Sequence, residues 1–207
     1  MALLKNIAVA GVPQEEVESE PALVALRAAP NAADRRAAAR QLADRAEALE
    51  ELAAALAAEP EESVRQAIFG ALVGIGTDAA AMTLATFLAH EDCGLRCAAI
   101  EALQRVGAPA LTVAERLLSS PDRDQRIFAV NVLEGLSHRG ALELLLRVLE
   151  QDVDLNVGLA TVEALALLGG PEDAPALRAF AARFPTHGFV GFAVDLACAR
   201  VGAGIDG

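Results

Sequence analysis

His90, Cys93 and Cys97 are the residues whose types and spacing come nearest to a reactive site in this chain. On a helix, residues three and four positions apart share a stripe, and one imidazole with two thiols would suit zinc. His90, however, falls in the loop predicted before the helix, and no fourth ligand is near in sequence. Small buried cysteines also commonly replace alanine in alanine-rich helices. We therefore predict buried packing cysteines and no bound metal or other cofactor.

The histidines give no catalytic arrangement either. His90, His138 and His187 fall near predicted loops in separate segments, so their spacing supports no Ser-His-Asp or Cys-His pairing. The glycines stand singly at predicted helix ends and form no phosphate-binding loop. The sequence predicts a protein that is not an enzyme.

The composition indicates a helical core with few large side chains. The chain has 207 residues, 54% hydrophobic and 3% aromatic, with neither Trp nor Tyr. Its net charge of -12 repels phosphate, so we expect a protein partner of basic charge and no binding to nucleic acid or membranes. Three cysteines without a pairing pattern are typical of a reducing compartment, which predicts a cytoplasmic protein.

A spacing of apolar residues recurs along the chain about every 30 residues. In the segment 61–76, Arg65 is followed by apolar residues at plus three, six, seven and ten, and a glycine closes the segment. These offsets place one apolar stripe along a helix, and the glycine is typical of a helix end. We call the arginine the anchor of its repeat. The six anchor positions are Arg35, Arg65, Arg96, Arg126, Gly158 and Gly191.

A second apolar periodic segment follows each of the first five anchors, at residues 46–58, 78–89, 109–118, 140–150 and 172–184. Two helical segments in a repeat of this length are typical of an α-solenoid. The sequence therefore predicts an all-α fold, a right-handed α-solenoid (α-α superhelix) of about five helix pairs plus a closing helix. We expect an N-terminal cap or helical lead-in at residues 1–30 and a single solenoid body at residues 31–207.

The first helix of the repeats carries a motif. It reads ESVRQAIFGALVGIG around Arg65, CGLRCAAIEALQRVG around Arg96 and DRDQRIFAVNVLEGLS around Arg126. These segments resemble the HEAT-like repeat family, and more closely its short bacterial type, which is named after phycobilisome lyases. The resemblance covers about residues 31–202 and implies a HEAT-like solenoid. It also implies an alternative function, that of a lyase-like or chaperone-like factor acting on a cofactor- or bilin-bearing protein.

Two catalytic branches of the HEAT-like repeat family do not match this sequence. Their di-iron hydroxylases carry His-Glu pairs directly after the anchor, where this chain has Gln66-Ala67, Cys97-Ala98 and Ile127-Phe128. Their DNA glycosylases need a basic face with aromatic residues, whereas this chain is acidic and has only phenylalanine. The function predicted first is therefore a non-catalytic protein–protein interaction scaffold, or an assembly or adaptor factor.

Acidic residues four positions before several anchors predict a charged ladder. Such a carboxylate can cap the helix that it begins and can reach an arginine one turn later or in the next repeat. We expect the ladder to stitch repeats together and to end where Gly158 and Gly191 replace the arginine. Its predicted members are Glu61, Arg65, Asp92, Arg96, Asp122 and Arg126.

Two surfaces are candidate binding sites. The last predicted helix has, beside its core stripe, a second apolar stripe with Phe189, Phe192 and Leu196. This stripe either forms an interface, with a partner or as a homodimer through the C-terminal helix, or folds inward against Phe180 and Phe184. The second helices should line a concave binding face, whose exposed candidates include Met82, Arg116, Arg147 and Arg178.

Overall fold

The computed structural model describes residues 14–136 and 138–203, without the side chains of residues 14–19 and 203. All regular structure in these residues is helical. The chain divides into two compact units, residues 1–71 and 72–207. The start of the predicted cap, residues 1–13, lies outside the described residues, and the proposed boundary between residues 30 and 31 stays a prediction.

The first unit is built around a lead-in helix. α1 spans Gln14–Ala28, α2 spans Ala32–Gln41 and α3 spans Leu49–Ala58, which follows a short 3-10 helix at Ala46–Ala48. α1 packs against both α2 and α3, so it covers the first helix pair. α4, Glu62–Ile75, contains the division between the two units.

The second unit continues the alternation of first and second helices. Short 3-10 segments extend α5 and precede α11, at Thr86–Ala89 and Pro171–Asp173. The α-helices are α5 (Asp78–Ala85), α6 (Cys93–Val106), α7 (Pro109–Leu118), α8 (Arg123–Glu134), α9 (Arg139–Gln151), α10 (Leu155–Leu168), α11 (Ala174–Ala182) and α12 (Gly188–Ala203).

The helices of the second unit form two layers. The first helices α6, α8, α10 and α12 pack side by side, and the second helices α5, α7, α9 and α11 do the same. Each second helix also packs on the first helix of the next repeat. A stack in which each repeat contacts its neighbours confirms the predicted all-α solenoid, with five helix pairs in chain order and a closing helix.

The apolar stripe of each repeat lies in the core. Alanines such as Ala99 and Ala129 are fully buried on this stripe and let neighbouring helices approach closely without aromatic side chains. Seven positions after the anchor, Cys198 of the last helix is half-buried, whereas the leucines of the other five helices are fully buried: Leu42, Leu72, Leu103, Leu133 and Leu165.

The predicted glycine ending is right for only some repeats. Gly76 and Gly107 have left-handed backbone, with φ of +62° and +81°, as expected of a residue just past a helix. Gly169 instead has φ of -77°, and Gly202 lies inside α12.

Gly158 provides space for an aromatic ring. It lies in the first turn of α10, at the anchor position, and its backbone N–H bonds to the carbonyl of Asp154 at 3.0 Å. A Cβ at this position would overlap the ring of Phe180, a fully buried residue of α11. Gly191 occupies the same repeat position in α12, but a Cβ there would meet no atom within 4 Å.

We expect Gly158→Ala and Gly191→Ala to have opposite effects on stability. At Gly158 the added methyl group overpacks the core, at a cost of about 1–3 kcal/mol. At Gly191 the same change should be neutral or stabilise by up to about 1 kcal/mol, because alanine favours a helix over glycine. Urea unfolding of both variants measures this difference. Equal free energies of unfolding would contradict the proposed packing of Phe180 on Gly158.

Candidate protein-binding surface

One face of α12 belongs to the core. Val190, Val194, Ala197 and Val201 are buried and follow one another at helical spacing. Through this face α12 packs against α10 and α11. Three of the four residues predicted for this stripe are therefore buried, whereas the fourth, Cys198, is half-buried and Ala197 is buried in its place. The buried stripe fixes the rotation of α12 about its axis.

A second apolar stripe of α12 faces outward. The exposed fractions are 68% for Phe189, 67% for Phe192 and 48% for Leu196. The alternative arrangement, a plug against Phe180 and Phe184, is not formed. Those two rings instead contact each other, with centroids 5.2 Å apart. Large exposed apolar side chains grouped in this way are typical of an interaction site.

The stripe borders a groove of about 200 Å³ between α10 and α12. The groove floor includes Val162 and Ala166 of α10, and the charged side chains of Glu163 and Arg200 lie at its edge. Neither charged group forms an ion pair with another described residue of the second unit. The site therefore combines apolar anchors with charges that remain available to a partner.

The equivalent groove of the first unit is polar by comparison. It lies between α2 and α4 and is lined by Ser63, Gln66 and Gly70. These residues have the same offsets from Arg65 as Phe189, Phe192 and Leu196 have from Gly191. The repeat pattern thus assigns these positions to solvent, and the last helix fills them with apolar side chains.

The second layer contains the other predicted binding residues, and the structure does not bring them together with the α12 stripe. Arg116, Arg147 and Arg178 are exposed, and Met82 is half-buried. Met82 and Arg116 line one groove. Arg147 lines a second groove together with Glu115, with which it forms an ion pair at 3.2 Å. This face is mixed in charge and has no comparable apolar cluster among its described residues.

The anchor arginines bind the loop that precedes their own helix. Nη1 of Arg126 donates to the carbonyls of Ser120 and Pro121 at 3.1 and 3.2 Å, while Nε and Nη2 bind the carboxylate of Asp152 at 2.7 and 3.3 Å. These loop carbonyls lie outside any helix and have no helical hydrogen-bond partner, so a guanidinium satisfies them. We call this arrangement the carbonyl clamp.

Two further anchors repeat the carbonyl clamp with the same spacing. Arg96 donates to the carbonyls of His90 and Glu91 at 2.7 and 2.9 Å. Arg35 donates to the carbonyls six and five residues before it, at 3.1 and 3.5 Å, and binds Glu59 through two hydrogen bonds of 2.8 Å.

The acidic members of the predicted ladder lie directly before the first residues of α4, α6 and α8. The carboxylates of Asp92 and Asp122 cap α6 and α8 by accepting backbone N–H groups two residues later, at 2.7 and 2.9 Å. The backbone carbonyl of Glu61 accepts the N–H of Arg65 at 3.0 Å. The side chain of Arg65 pairs with Glu62 at 2.8 Å. The ion pairs of Arg65 with Glu62 and of Arg126 with Asp152 join residues that sequence spacing did not suggest.

Arg183 takes the place of the missing fifth anchor. Its guanidinium donates to the carbonyls of Leu149 and Glu150 at 2.7 and 3.1 Å and to that of Asp152. Asp152 stands six residues before Gly158, where an anchor arginine would reach. The carbonyl clamp therefore continues past the point where the ladder was predicted to end. Sequence reasoning missed Arg183 because it lies at the end of α11 rather than on a first helix.

A family model for HEAT repeats matches residues 19–104 and 110–186, which together make up most of the chain. The chain belongs to the HEAT-repeat family. This agrees with the resemblance carried by the repeat motif. None of the helices in the described ranges is both long and apolar enough to cross a membrane.

Known proteins similar to this HEAT-repeat protein include a phycobilisome maturation protein of Synechococcus elongatus, 33% identical over 114 residues. The match covers 55% of each chain, so this chain spans about half the length of that relative. Two solved structures are more distant. An engineered protein is 19% identical, with a TM-score of 0.39 and 88% and 96% of the two chains covered. The complex of CpcE and CpcF of phycocyanin lyase from Nostoc sp. PCC7120 is 24% identical, with a TM-score of 0.40. That match covers 78% of this chain and 68% of the other.

The carbonyl clamp also changes the acidity of the residues that form it. Hydrogen bonds from Arg35 lower the pKa of Glu59, and the pKa of Arg35 is raised in turn. The pKa of Arg126 is raised chiefly by its hydrogen bonds with Asp152. Because the pKa of Glu59 is lowered on folding, its stabilising effect is complete above the ordinary glutamate pKa. It is lost as the pH falls through the lowered value.

The cysteines differ from expectation. Cys93 and Cys97 are both exposed rather than buried, with their Sγ atoms 4.0 Å apart. His90 lies in the loop before α6, where its Nδ1 accepts the backbone N–H of Asp92 at 3.0 Å. No group of three His, Cys, Asp or Glu residues in residues 14–136 and 138–203 is placed to hold a metal ion.

We expect Arg126→Ala to destabilise the protein by about 1–3 kcal/mol, because the variant loses the charged hydrogen bonds to the Asp152 carboxylate and to the carbonyls of Ser120 and Pro121. Arg147→Ala is the matched control, since Arg147 forms a single exposed ion pair, for which about 0–1 kcal/mol is typical. Denaturant unfolding of both variants gives the comparison. A loss at Arg126 no larger than that at Arg147 would contradict the stabilising role of the clamp.

Proposed function

We propose that this HEAT-repeat protein is a non-catalytic assembly or adaptor factor that binds a partner protein through the exposed stripe of α12. The observation that carries the proposal is the exposure of Phe189, Phe192 and Leu196 at positions that are small or polar in the equivalent groove of the first unit. Since the buried face of the same helix is complete without them, their apolar character is not needed for folding.

The composition of the stripe suits a binding site. Full burial of an aromatic side chain is worth about 1.5–3 kcal/mol, so two phenylalanines could supply a substantial part of an affinity. Interfaces commonly place aromatic anchors at their centre and polar groups at the rim. Glu163 and Arg200 stand at the rim here and would orient the partner.

A basic protein is the partner class that the charge of the chain favours. With a net charge of -12, association with a basic surface is accelerated, whereas nucleic acids and anionic membranes are repelled. A second copy of the chain carries the same net negative charge and would be repelled at long range. We therefore propose a homodimer through α12 only as the alternative to a basic partner. Three free cysteines are typical of a reducing compartment and support a cytoplasmic location.

A second candidate function is that of a lyase-like or chaperone-like factor acting on a bilin-bearing protein. The identity of 33% to a phycobilisome maturation protein favours it. The two candidates share the docking step and differ in whether a chromophore is handled. Visible absorbance of the protein purified from its native host separates them, because only the second predicts a chromophore in fixed ratio to protein.

We expect the double variant Phe189→Asp/Phe192→Asp to stay folded and to lose partner binding. Both side chains are mostly exposed, so two carboxylates there are tolerated by the fold but would be desolvated in an interface. The measurement is capture from native lysate with mass spectrometry, with light scattering to detect self-association. Val24→Asp serves as the control, since Val24 is an exposed apolar residue of α1, in the other compact unit.

The proposal requires that a defined set of proteins, or the second copy, binds wild-type and Val24→Asp protein but not the double variant. Recovery of the same set by the double variant would contradict it. Unfolding of the double variant, seen by circular dichroism, would instead assign the two phenylalanines to the core.

A further inference from the structure

Cys93 and Cys97 form a pair of exposed thiols on one side of α6. Cys93 is the first residue of the helix and Cys97 follows one turn later. Their Sγ atoms are 4.0 Å apart, and both side chains are open to solvent. Neither thiol contributes to the core, so the two cysteines do not serve as buried replacements for alanine.

The separation suits a bridging ion better than a disulfide. A disulfide requires Cβ atoms about 3.5–4.5 Å apart, whereas residues four apart on a helix hold their Cβ atoms about 5–6 Å apart. With metal–sulfur bonds of about 2.3 Å, two sulfurs on one ion lie about 3.8 Å apart at a tetrahedral angle and about 4.6 Å apart when linear. The observed 4.0 Å lies between these limits.

The two thiols are accessible to an ion from solvent. Both side chains are exposed, and Cys93 and Cys97 lie one turn apart on the same helix. One ion can therefore contact both Sγ atoms, which are 4.0 Å apart, without a change in the fold.

We propose that Cys93 and Cys97 bind one thiophilic d10 metal ion, with Cu(I) preferred over Zn2+. Thiolates select both ions, but Zn2+ normally takes four ligands, and only two protein ligands are within reach in the described residues. Cu(I) accepts two thiolates. On binding, each thiol releases its proton to solvent, and no oxidation or reduction of the protein takes place. This site is independent of the α12 stripe and goes beyond the proposed function.

The test is an anaerobic titration of the reduced full-length protein with Cu(I) in competition with a chromophoric chelator, and a parallel titration with Zn2+. The ultraviolet thiolate-to-copper charge-transfer band reports the ligands directly. We expect equimolar Cu(I) binding. Cys93→Ser and Cys97→Ser should each weaken it by at least about 10- to 100-fold, since even the loss of an outer partner of a metal site has that effect.

Cys198→Ser is the matched control, because Cys198 lies on α12 and is remote in sequence from the pair. It should bind Cu(I) as the wild type does. Equal binding by the Cys93→Ser/Cys97→Ser double variant, or no binding by the wild type, would overturn the proposal, and tighter binding of Zn2+ would overturn the stated preference. Circular dichroism checks that the variants are folded, and Cys93→Ala/Cys97→Ala provides a second pair without hydroxyl groups.

Discussion

The carbonyl clamp is the interaction on which the repeat geometry depends. Carbonyls in the loop before a first helix have no helical partner and need a donor. In three repeats the anchor arginine of the first helix binds two of these carbonyls, with Arg35, Arg96 and Arg126 using the same spacing of six and five residues. A planar guanidinium can bind two carbonyls and a carboxylate at once, which lysine cannot do. The clamp therefore fixes each of these three first helices against the loop that precedes it.

The candidate docking site follows from the rotation of the first helices, which their buried stripes fix. In α4 and α12, positions two before and one and five after the anchor then line a surface groove. In the first unit they carry Ser63, Gln66 and Gly70. In the last helix they carry two phenylalanines and a leucine, which remain exposed although the core beneath them is complete. An apolar surface that folding does not need is the strongest functional feature among the described residues.

The period of the sequence predicted the helices, their pairing and the buried leucines, because those features depend on residues within one repeat. It could not decide between an exposed stripe and an inward plug, which depends on the packing of Phe180 on Gly158. The role of Arg183 was missed for the same reason, because Arg183 lies at the end of α11 whereas the carbonyls of Leu149 and Glu150 that it binds lie on α9. The exposure of Cys97 could have been found, since it occupies the same column as Gln66 and Phe192.

The most direct test of the clamp is amide hydrogen exchange of the Arg183→Ala variant. It measures whether the Arg183 guanidinium, which binds carbonyls at the end of α9, holds consecutive repeats together. The backbone N–H of Asp152 donates to the carbonyl of Val148, and that of Gly158 donates to the carbonyl of Asp154. These hydrogen bonds lie next in sequence to the carbonyls that Arg183 binds. Our account predicts faster exchange at residues 149–158 of the variant, with residues 93–118 exchanging as in the wild type. Unchanged exchange at residues 149–158, or a uniform increase across both segments, would contradict it.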